Sequence, residues 1–367
     1  LTGLPREHGN KVEALRSGDE AYPRMLAEIG SAQRSIGLES YIFRADAAGE
    51  RFHQALIEAQ RRGVQVRVLI DGVGGGYFWS GTYRRLSRAG VPVARFLHSY
   101  FPWRMPFLNL RNHRKVLVID GRIGFTGGLN IGEENIQAND PPHAVLDTHF
   151  RLEGPVVEQL ADAFADDWLF VTGEELPDAD WSSPIERVGD VAARVITSGP
   201  DEDNERIEFV ALHAISCARK SIRIVTPYFL PPEPLTMALG LAAMRGIEVD
   251  LIIPERGNHA VLDWARQIPL RPLIEAGCRV WLLPPPFEHS KLMTVDDSWS
   301  LVGSANWDTR SFRLNFELNV ELHNTGFAQE IAVATHACRR LTVAELEAAS
   351  LPIRLRNGAA RLLQPYL

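Results

Sequence analysis

Asn112-His113-Arg114-Lys115, four residues to Asp120, then six to Gly127-Gly128-Leu129-Asn130: this run decides how the chain folds. The order returns late in the chain as His289-Ser290-Lys291, four residues to Asp296, then six to Gly303-Ser304-Ala305-Asn306. At average composition a match to five such positions arises by chance less than about once in a million start points. Two copies with identical internal spacing therefore point to a doubled unit.

The duplication extends beyond the motif. Ala32-Gln33-Arg34-Ser35-Ile36 is answered by Ala218-Arg219-Lys220-Ser221-Ile222, and Arg62-Gly63-Val64 by Arg245-Gly246-Ile247. Ala89-Gly90-Val91 pairs in the same order with Ala276-Gly277-Cys278. A fixed order of matched units is the mark of an internal repeat. The expected fold class is α/β: two pseudo-twofold-related halves, each a mixed β-sheet flanked by helices. They are expected at 1–180 and 190–367, joined by an acidic, Pro- and Ser-containing linker over 172–190.

The chain has 367 residues, 45% hydrophobic and 23% charged, an ordinary balance for a globular protein with a large core. Its apolar runs fall short of the 18 or so residues a membrane span needs. No secretory signal is visible, and a start at Leu1 without Met leaves both readings open, a chain without an N-terminal segment or one from which it was removed. Cys217, Cys278 and Cys338 are odd in number and lack metal or redox spacing, which predicts buried thiols. A net charge of −7 speaks against a dedicated nucleic-acid binder.

Along the first half, residues 10–30 read as a strand entering an amphipathic helix, with Tyr22, Met25, Leu26 and Ile29 at helical spacing. A strand over 36–43, a helix over 52–61 stopped by Gly63 and a β-branched strand over 64–70 form a βαβ unit, hence a parallel pair. Asp71-Gly72-Val73-Gly74-Gly75-Gly76 lacks the third glycine of a dinucleotide fingerprint and predicts a loop at the site mouth. A helix over 82–89 and a strand over 91–96 follow. Residues 98–110 are aromatic and Pro-punctuated. They read equally as an apolar lip for acyl chains and as a packed flap. The tail over 351–367 mixes Arg354, Arg356 and Arg361 with leucines: it suits an anionic membrane surface or a docked terminal helix.

Side chains two apart on a strand share a face, so His113 and Lys115 point together, as do His289 and Lys291. Asp120 and Asp296 have the opposite parity. With Gly121 behind it, Asp120 reads as an anchor of a tight hairpin turn. A return strand brings Asn130 and Asn306 back toward the histidines. If the halves pack as twofold mates, two imidazoles, two ammonium groups and two carboxamides converge, an arrangement that fits a phosphoryl group. Flanking lysines disfavour a metal cation, so neither metal nor cofactor is expected. A catalytic imidazole needs its second nitrogen held, and Asp147 and Glu317 are the candidate carboxylates.

These residues resemble the signature of the phospholipase D superfamily, and within it the bacterial cardiolipin synthases, over nearly the whole chain. His113 to Asp120 with Thr126-Gly127-Gly128-Leu129-Asn130 carries the likeness. So do Gly303-Ser304-Ala305-Asn306-Trp307-Asp308-Thr309-Arg310 and Leu314-Asn315-Phe316-Glu317. Asp147-Thr148-His149, Thr226-Pro227-Tyr228-Phe229 and Glu39-Ser40-Tyr41 also fit. Gly128 departs from the superfamily pattern, which has Ser there. The resemblance implies two phospholipase D-like halves, with His113, Lys115, Asp120, His289, Lys291 and Asp296 as the catalytic set. It assigns phosphate contacts to Asn130, Asn306 and Ser304. It implies phosphatidyl transfer through a phosphohistidine on His113, with His289 as acid and base. Cardiolipin and glycerol would come from two phosphatidylglycerols; hydrolysis and nuclease action on the same fold are the alternatives. The implied partners are phospholipid and an anionic membrane surface, with no nucleic acid. The implied location is the cytoplasmic face of the cell membrane, peripheral or anchored by a segment absent from this sequence.

Overall fold

The computed structural model describes residues 2–98, 109–184, 186–201, 203–332 and 338–362. Most of the aromatic insertion, 99–108, and the end of the tail, 363–367, lie outside the described residues.

In the first half the strands are β1 (Glu7–Arg16), β2 (Ser35–Ser40), β3 (Gln65–Asp71), β4 (Val93–Phe96) and β5 (Arg111–Asn112). They continue with β6 (Val116–Ile119), β7 (Ile123–Gly127), β8 (Val145–Leu146) and β9 (Thr148–Glu153). The second half holds β10 (Val191–Ser198), β11 (Ser221–Val225), β12 (Phe229–Leu230), β13 (Glu248–Pro254), β14 (Arg279–Leu283) and β15 (Phe287–Glu288). After these come β16 (Leu292–Val295), β17 (Trp299–Gly303), β18 (Trp307–Asp308), β19 (Asn315–His323) and β20 (Arg339–Leu341).

One sheet runs through both halves. From its centre outward the first half reads β1-β9-β7-β6-β2-β3-β4, and the second reads β10-β19-β17-β16-β11-β13-β14, capped by β20. The two orders match strand for strand, and the antiparallel β1–β10 pair joins them. Mirrored order about an antiparallel seam is what a pseudo-twofold axis requires. Within each half the βαβ units make parallel pairs (β2 with β3, β3 with β4; β11 with β13, β13 with β14), while the motif hairpins are antiparallel. Expected strand edges shift by one to three residues, the largest at the strand expected over 36–43, which ends at Ser40.

Each half packs an apolar cluster under its outer helices, around Phe52, Leu117 and Phe125 in one and Leu239, Leu251 and Met293 in the other. A further cluster belongs to both. Phe164 and Trp168 of helix Val156–Thr172 share it with Val195, Val302 and Leu318. The stretch expected as a linker is packed rather than loose: Trp181 is buried and stacks on Phe164 at 5.7 Å, and Arg34 Nη1 donates to the Ser182 carbonyl at 3.0 Å.

Asp120 and Asp296 take identical turn positions, each with φ of 53°. Asp120 Oδ1 accepts the backbone N–H groups of Arg34 (2.7 Å) and Ser35 (2.9 Å), and Oδ2 that of Gln33 (2.9 Å). Asp296 does the same for Arg219, Lys220 and Ser221. Each carboxylate ties its hairpin turn to the start of the neighbouring parallel strand, and neither lines the cleft described below. Both carboxylates are taken up by amides at the far end of the hairpin, the turn-anchor position that parity predicts. Asp120→Ala is expected to cost about 2 kcal/mol by stranding three donors. The check is a lower thermal midpoint with product formation at 25 °C retained.

Candidate active site

A cleft of about 700 Å³ opens between the halves, and His113, His289, Asn130 and Asn306 all line it. Two short strand pairs cross from half to half to build it. β5 pairs with β19, and β15 pairs with β8. As a result the His113 N–H donates to the Phe316 carbonyl (2.9 Å) and the His289 N–H to the Leu146 carbonyl (2.7 Å). The next residue along each partner strand is a buried carboxylate. Glu317 Oε2 lies 3.0 Å from His113 Nδ1, and Asp147 Oδ2 lies 2.7 Å from His289 Nδ1. Each imidazole is therefore oriented by the opposite half. With Nδ1 engaged on both rings, Nε2 is the nitrogen left for chemistry.

Burial holds both imidazoles below their ordinary pKa, and nearby lysine charge adds to it, which favours the uncharged rings before substrate enters the cleft. His289 falls to about 4. Glu317 is drawn down to about 2, against a burial effect in the opposite direction, by His113, Lys115 and Ser304. Asp147 is lowered as well, despite burial, chiefly by Lys291 and His289. The lysines sit behind the histidines rather than in the open cleft. Lys115 Nζ donates to the His113 carbonyl at 2.5 Å, and Lys291 Nζ donates to that of His289. Burial pulls Lys115 to about 7 and Lys291 to about 8. An arriving phosphodiester anion would restore their charge, so they act as cations called up by the ligand.

Asn130 Oδ1 accepts the Ile42 N–H at 3.2 Å, which leaves its NH2 end to donate into the cleft. Asn306 is buried with its Oδ1 lacking a protein partner. Ser304 is different. Its hydroxyl donates to Glu317 Oε2 and accepts the Leu318 N–H at 2.9 Å, fully buried. The hydroxyl that the resemblance assigns to phosphate is here turned to the carboxylate that holds His113. Gly128 explains its own departure from the pattern. A Cβ there would lie 2.3 Å from Asp147 Oδ1, so the first half couples a shorter acid to a missing side chain.

Residues quoted only for family likeness also belong to the site. Tyr41 meets the His113 ring edge-on at 5.0 Å, and Tyr228 meets the His289 ring at 6.1 Å. Their matched positions after β2 and β11 were the available signal. Behind His113, Arg114 is buried against Asp167 at 2.6 Å, and the Asn112 amide bonds Glu39, whose carboxyl is raised well above the usual range by burial and by Asp167. Asp71 Oδ2 accepts the Asn112 N–H at 2.8 Å, so the glycine loop braces the motif. Among the described residues no group of three or more His, Cys, Asp or Glu could hold a metal ion.

A family model described as "Cardiolipin synthase, PLD-like domain" matches residues 25–168 and 211–337, once in each half. The chain is 36% identical over 371 residues to the major cardiolipin synthase ClsA of Bacillus subtilis, covering 98% of this chain and 76% of that one. It is 34% identical over 372 residues to cardiolipin synthase A of Pseudomonas syringae pv. syringae, covering 100% and 77%. Among solved structures, phosphatidylserine synthase of Haemophilus influenzae superposes over 100% of this chain and 98% of its own, with a TM-score of 0.77 at 15% identity. That identity speaks for the fold alone. Full-length relatedness above 30% and a doubled family match lead to one conclusion: the chain belongs to the cardiolipin synthase, phospholipase D-like family.

Proposed function

We propose that the protein is a transphosphatidylase that makes cardiolipin from two phosphatidylglycerols and releases glycerol. The observation that carries this reading is the pair of imidazoles in one cleft, each held at Nδ1 by a carboxylate of the opposite half. His113 Nε2 attacks the donor's phosphorus; the P–N bond forms as the P–O bond to glycerol breaks, and a protonated His289 gives its proton to the departing oxygen. Neutral again, His289 takes the proton of the acceptor's hydroxyl as that oxygen attacks phosphorus and the P–N bond breaks. Lys115, Lys291 and the two asparagines carry the charge that grows on the phosphoryl oxygens. The halves 1–180 and 190–367 act as the two lobes that meet at the phosphodiester.

The test is direct: incubate the protein with phosphatidylglycerol vesicles and follow lipids by mass spectrometry. Cardiolipin with equimolar glycerol is the expected result. Phosphatidic acid alone would make it a hydrolase, and no product would end the proposal.

The substrate resides in a bilayer, and we infer a peripheral approach to an anionic surface. Among the described residues no helix is long and apolar enough to cross a membrane. Phe78 and Trp79 are 81% and 71% exposed, and Arg84 stacks 3.7 Å over the Trp79 ring. Their loop abuts the cleft: a Cβ at Gly74 would strike Tyr41. On the other lobe, helix Leu351–Leu362 docks through Ala360 beside Val261 and Leu262, leaving Leu351, Leu355 and Leu362 exposed. Replacing Phe78 and Trp79 by Ser is expected to weaken sedimentation with phosphatidylglycerol vesicles about tenfold or more. Unchanged binding would move the contact elsewhere.

A further inference from the structure

The halves differ at a matched loop beside the cleft. The parallel register of β2 with β3 repeats in β11 with β13, so the chain leaving β3 aligns with the chain leaving β13. Gly74 then falls on Gly257, and Gly75 on Asn258. The first half has no room for a side chain there: a Cβ at Gly75 would lie 2.4 Å from Ile70 Cγ2. In the second half Gly257, Asn258 and His259 all line the cleft.

The second loop is fixed by the fold. The Glu255 N–H donates to the Leu283 carbonyl at 2.8 Å, and the Gly257 N–H to Asp263 Oδ2 at 2.8 Å. Buried Arg266 donates to the carbonyls of Pro254 and Glu255 at 2.8 and 2.9 Å. From this frame Asn258 reaches Tyr228, whose hydroxyl donates to Asn258 Oδ1 at 2.6 Å. With Oδ1 engaged, the NH2 end of the amide is the end that can serve a ligand as donor. The Tyr228 ring meets His289 at 6.1 Å and Phe287 at 6.2 Å, and Phe287 meets His289 at 5.9 Å. Asn258 is thus tied to the cleft wall beside His289, while the matching position on the His113 side is a glycine.

That wall has a defined task. His289 gives a proton to the departing alcohol and takes one from the arriving alcohol, so the remainder of each alcohol lies against the groups beside His289. Water and simple alcohols offer those groups no further polar contact. Glycerol carries a second hydroxyl on the carbon next to the reacting one. A fixed carboxamide donor matches that hydroxyl, and the two aromatic rings match the carbon edge beside it.

We propose that Asn258 selects the alcohol: its amide holds the hydroxyl adjacent to the one that reacts, so glycerol headgroups are taken ahead of alcohols that lack the neighbouring hydroxyl. The inference rests on the transphosphatidylase reading and adds a specificity-determining residue to it. In the step itself the acceptor's primary hydroxyl oxygen bonds to phosphorus, the bond from phosphorus to His113 Nε2 breaks, and the hydroxyl proton passes to His289. Asn258 exchanges no atom.

Competing alcohols draw on one phosphohistidine, so the ratio of their products is independent of how fast it forms. Phosphatidylglycerol vesicles receive equal low concentrations of n-propanol and propylene glycol, whose hydroxyls sit on neighbouring carbons, and mass spectrometry separates the two phosphatidyl adducts. The wild-type protein should favour the diol. Asn258 is exposed, so its replacement leaves the core intact. Asn258→Leu and Asn258→Ala are each expected to lower the diol-to-propanol ratio about tenfold. Tyr228→Phe, which keeps the amide and loses its tie, should fall between. Trimethylene glycol, the isomer with hydroxyls at its two ends, should show no such drop. A wild-type protein indifferent to the diol, or a ratio unchanged in the Asn258 variants while both adducts decline, would overturn the selection and leave Asn258 a support for Tyr228. An equal drop for both isomers would overturn it as well, because the place of the second hydroxyl would not matter. A wild-type protein that forms neither cardiolipin nor any alcohol adduct would instead bring down the transfer reading itself.

Discussion

His113→Ala is expected to abolish phosphatidyl transfer, to below about one ten-thousandth of the wild-type rate, and to leave no phosphorus on the protein. The reason is covalent: no other imidazole in the cleft has its Nδ1 held by Glu317, and a positioned water cannot regenerate a transferable phosphatidyl group. His289→Ala should be as inactive on phosphatidylglycerol, for another reason. The departing glycerol oxygen needs a proton, and burial together with Lys291 keeps His289 weakly basic, ready to give one up once charged. Given a phosphodiester whose leaving group needs no proton, such as a nitrophenolate, His289→Ala should still form the phosphoenzyme and then stall. Mass spectrometry of acid-labile, base-stable phosphopeptides separates the two variants. A phosphate trapped on His289, with His113→Ala still accumulating phosphoenzyme, would exchange their roles. The near-mirror geometry makes the experiment decisive, since each ring has one carboxylate, one lysine and one tyrosine beside it.

The doubled motif was legible because its chemistry and its hairpin lie in one continuous run. His113, Lys115 and Asn130 lie on or beside one strand–turn–strand, and the continuous apolar run Val116–Ile119 followed by the Asp120-Gly121 turn marks it without tertiary knowledge. The carboxylate partners were legible by type and not by pairing. Which histidine each one serves depends on β5 with β19 and β8 with β15, contacts two residues long that leave no periodic trace. The partner of Ser304 was not legible because a hydroxyl beside a phosphate site has two acceptors within reach, and only packing decides between them. The signal lay in the co-variation inside the chain itself, Gly128 with Asp147 against Ser304 with Glu317. The turn role of Asp120 and Asp296 followed from parity. The family's habit of counting them with the histidines is what drew them into the catalytic set. The joint core escaped for a simpler reason: Trp181 looks like linker composition until Phe164 is seen stacked against it.

Glu317→Gln is expected to lower kcat/KM by about a thousandfold or more while the fold survives, since the amide keeps the shape and can still accept from Nδ1. Two losses combine. The phosphoimidazolium formed as His113 takes the phosphoryl group loses its counter-ion. Lys115 loses the largest influence opposing the burial that already brings it to about 7. The second loss has a direction that can be measured. The charged ammonium is the form that stabilises phosphoryl oxygens, so activity falls as pH rises through the free-enzyme pKa of the lysines, about 7 for Lys115 and about 8 for Lys291. Removing the anion lowers the Lys115 pKa further, so the alkaline limb of kcat/KM moves to lower pH in Glu317→Gln. Asp147→Asn should move the same alkaline limb acidward through Lys291, because Asp147 is the strongest influence raising that lysine. If Glu317 merely supported β19, rate would fall with the limb unmoved. A limb that shifts acidward in both variants ties the two carboxylates to the lysine charges, since each carboxylate raises both lysines, Glu317 most for Lys115 and Asp147 most for Lys291.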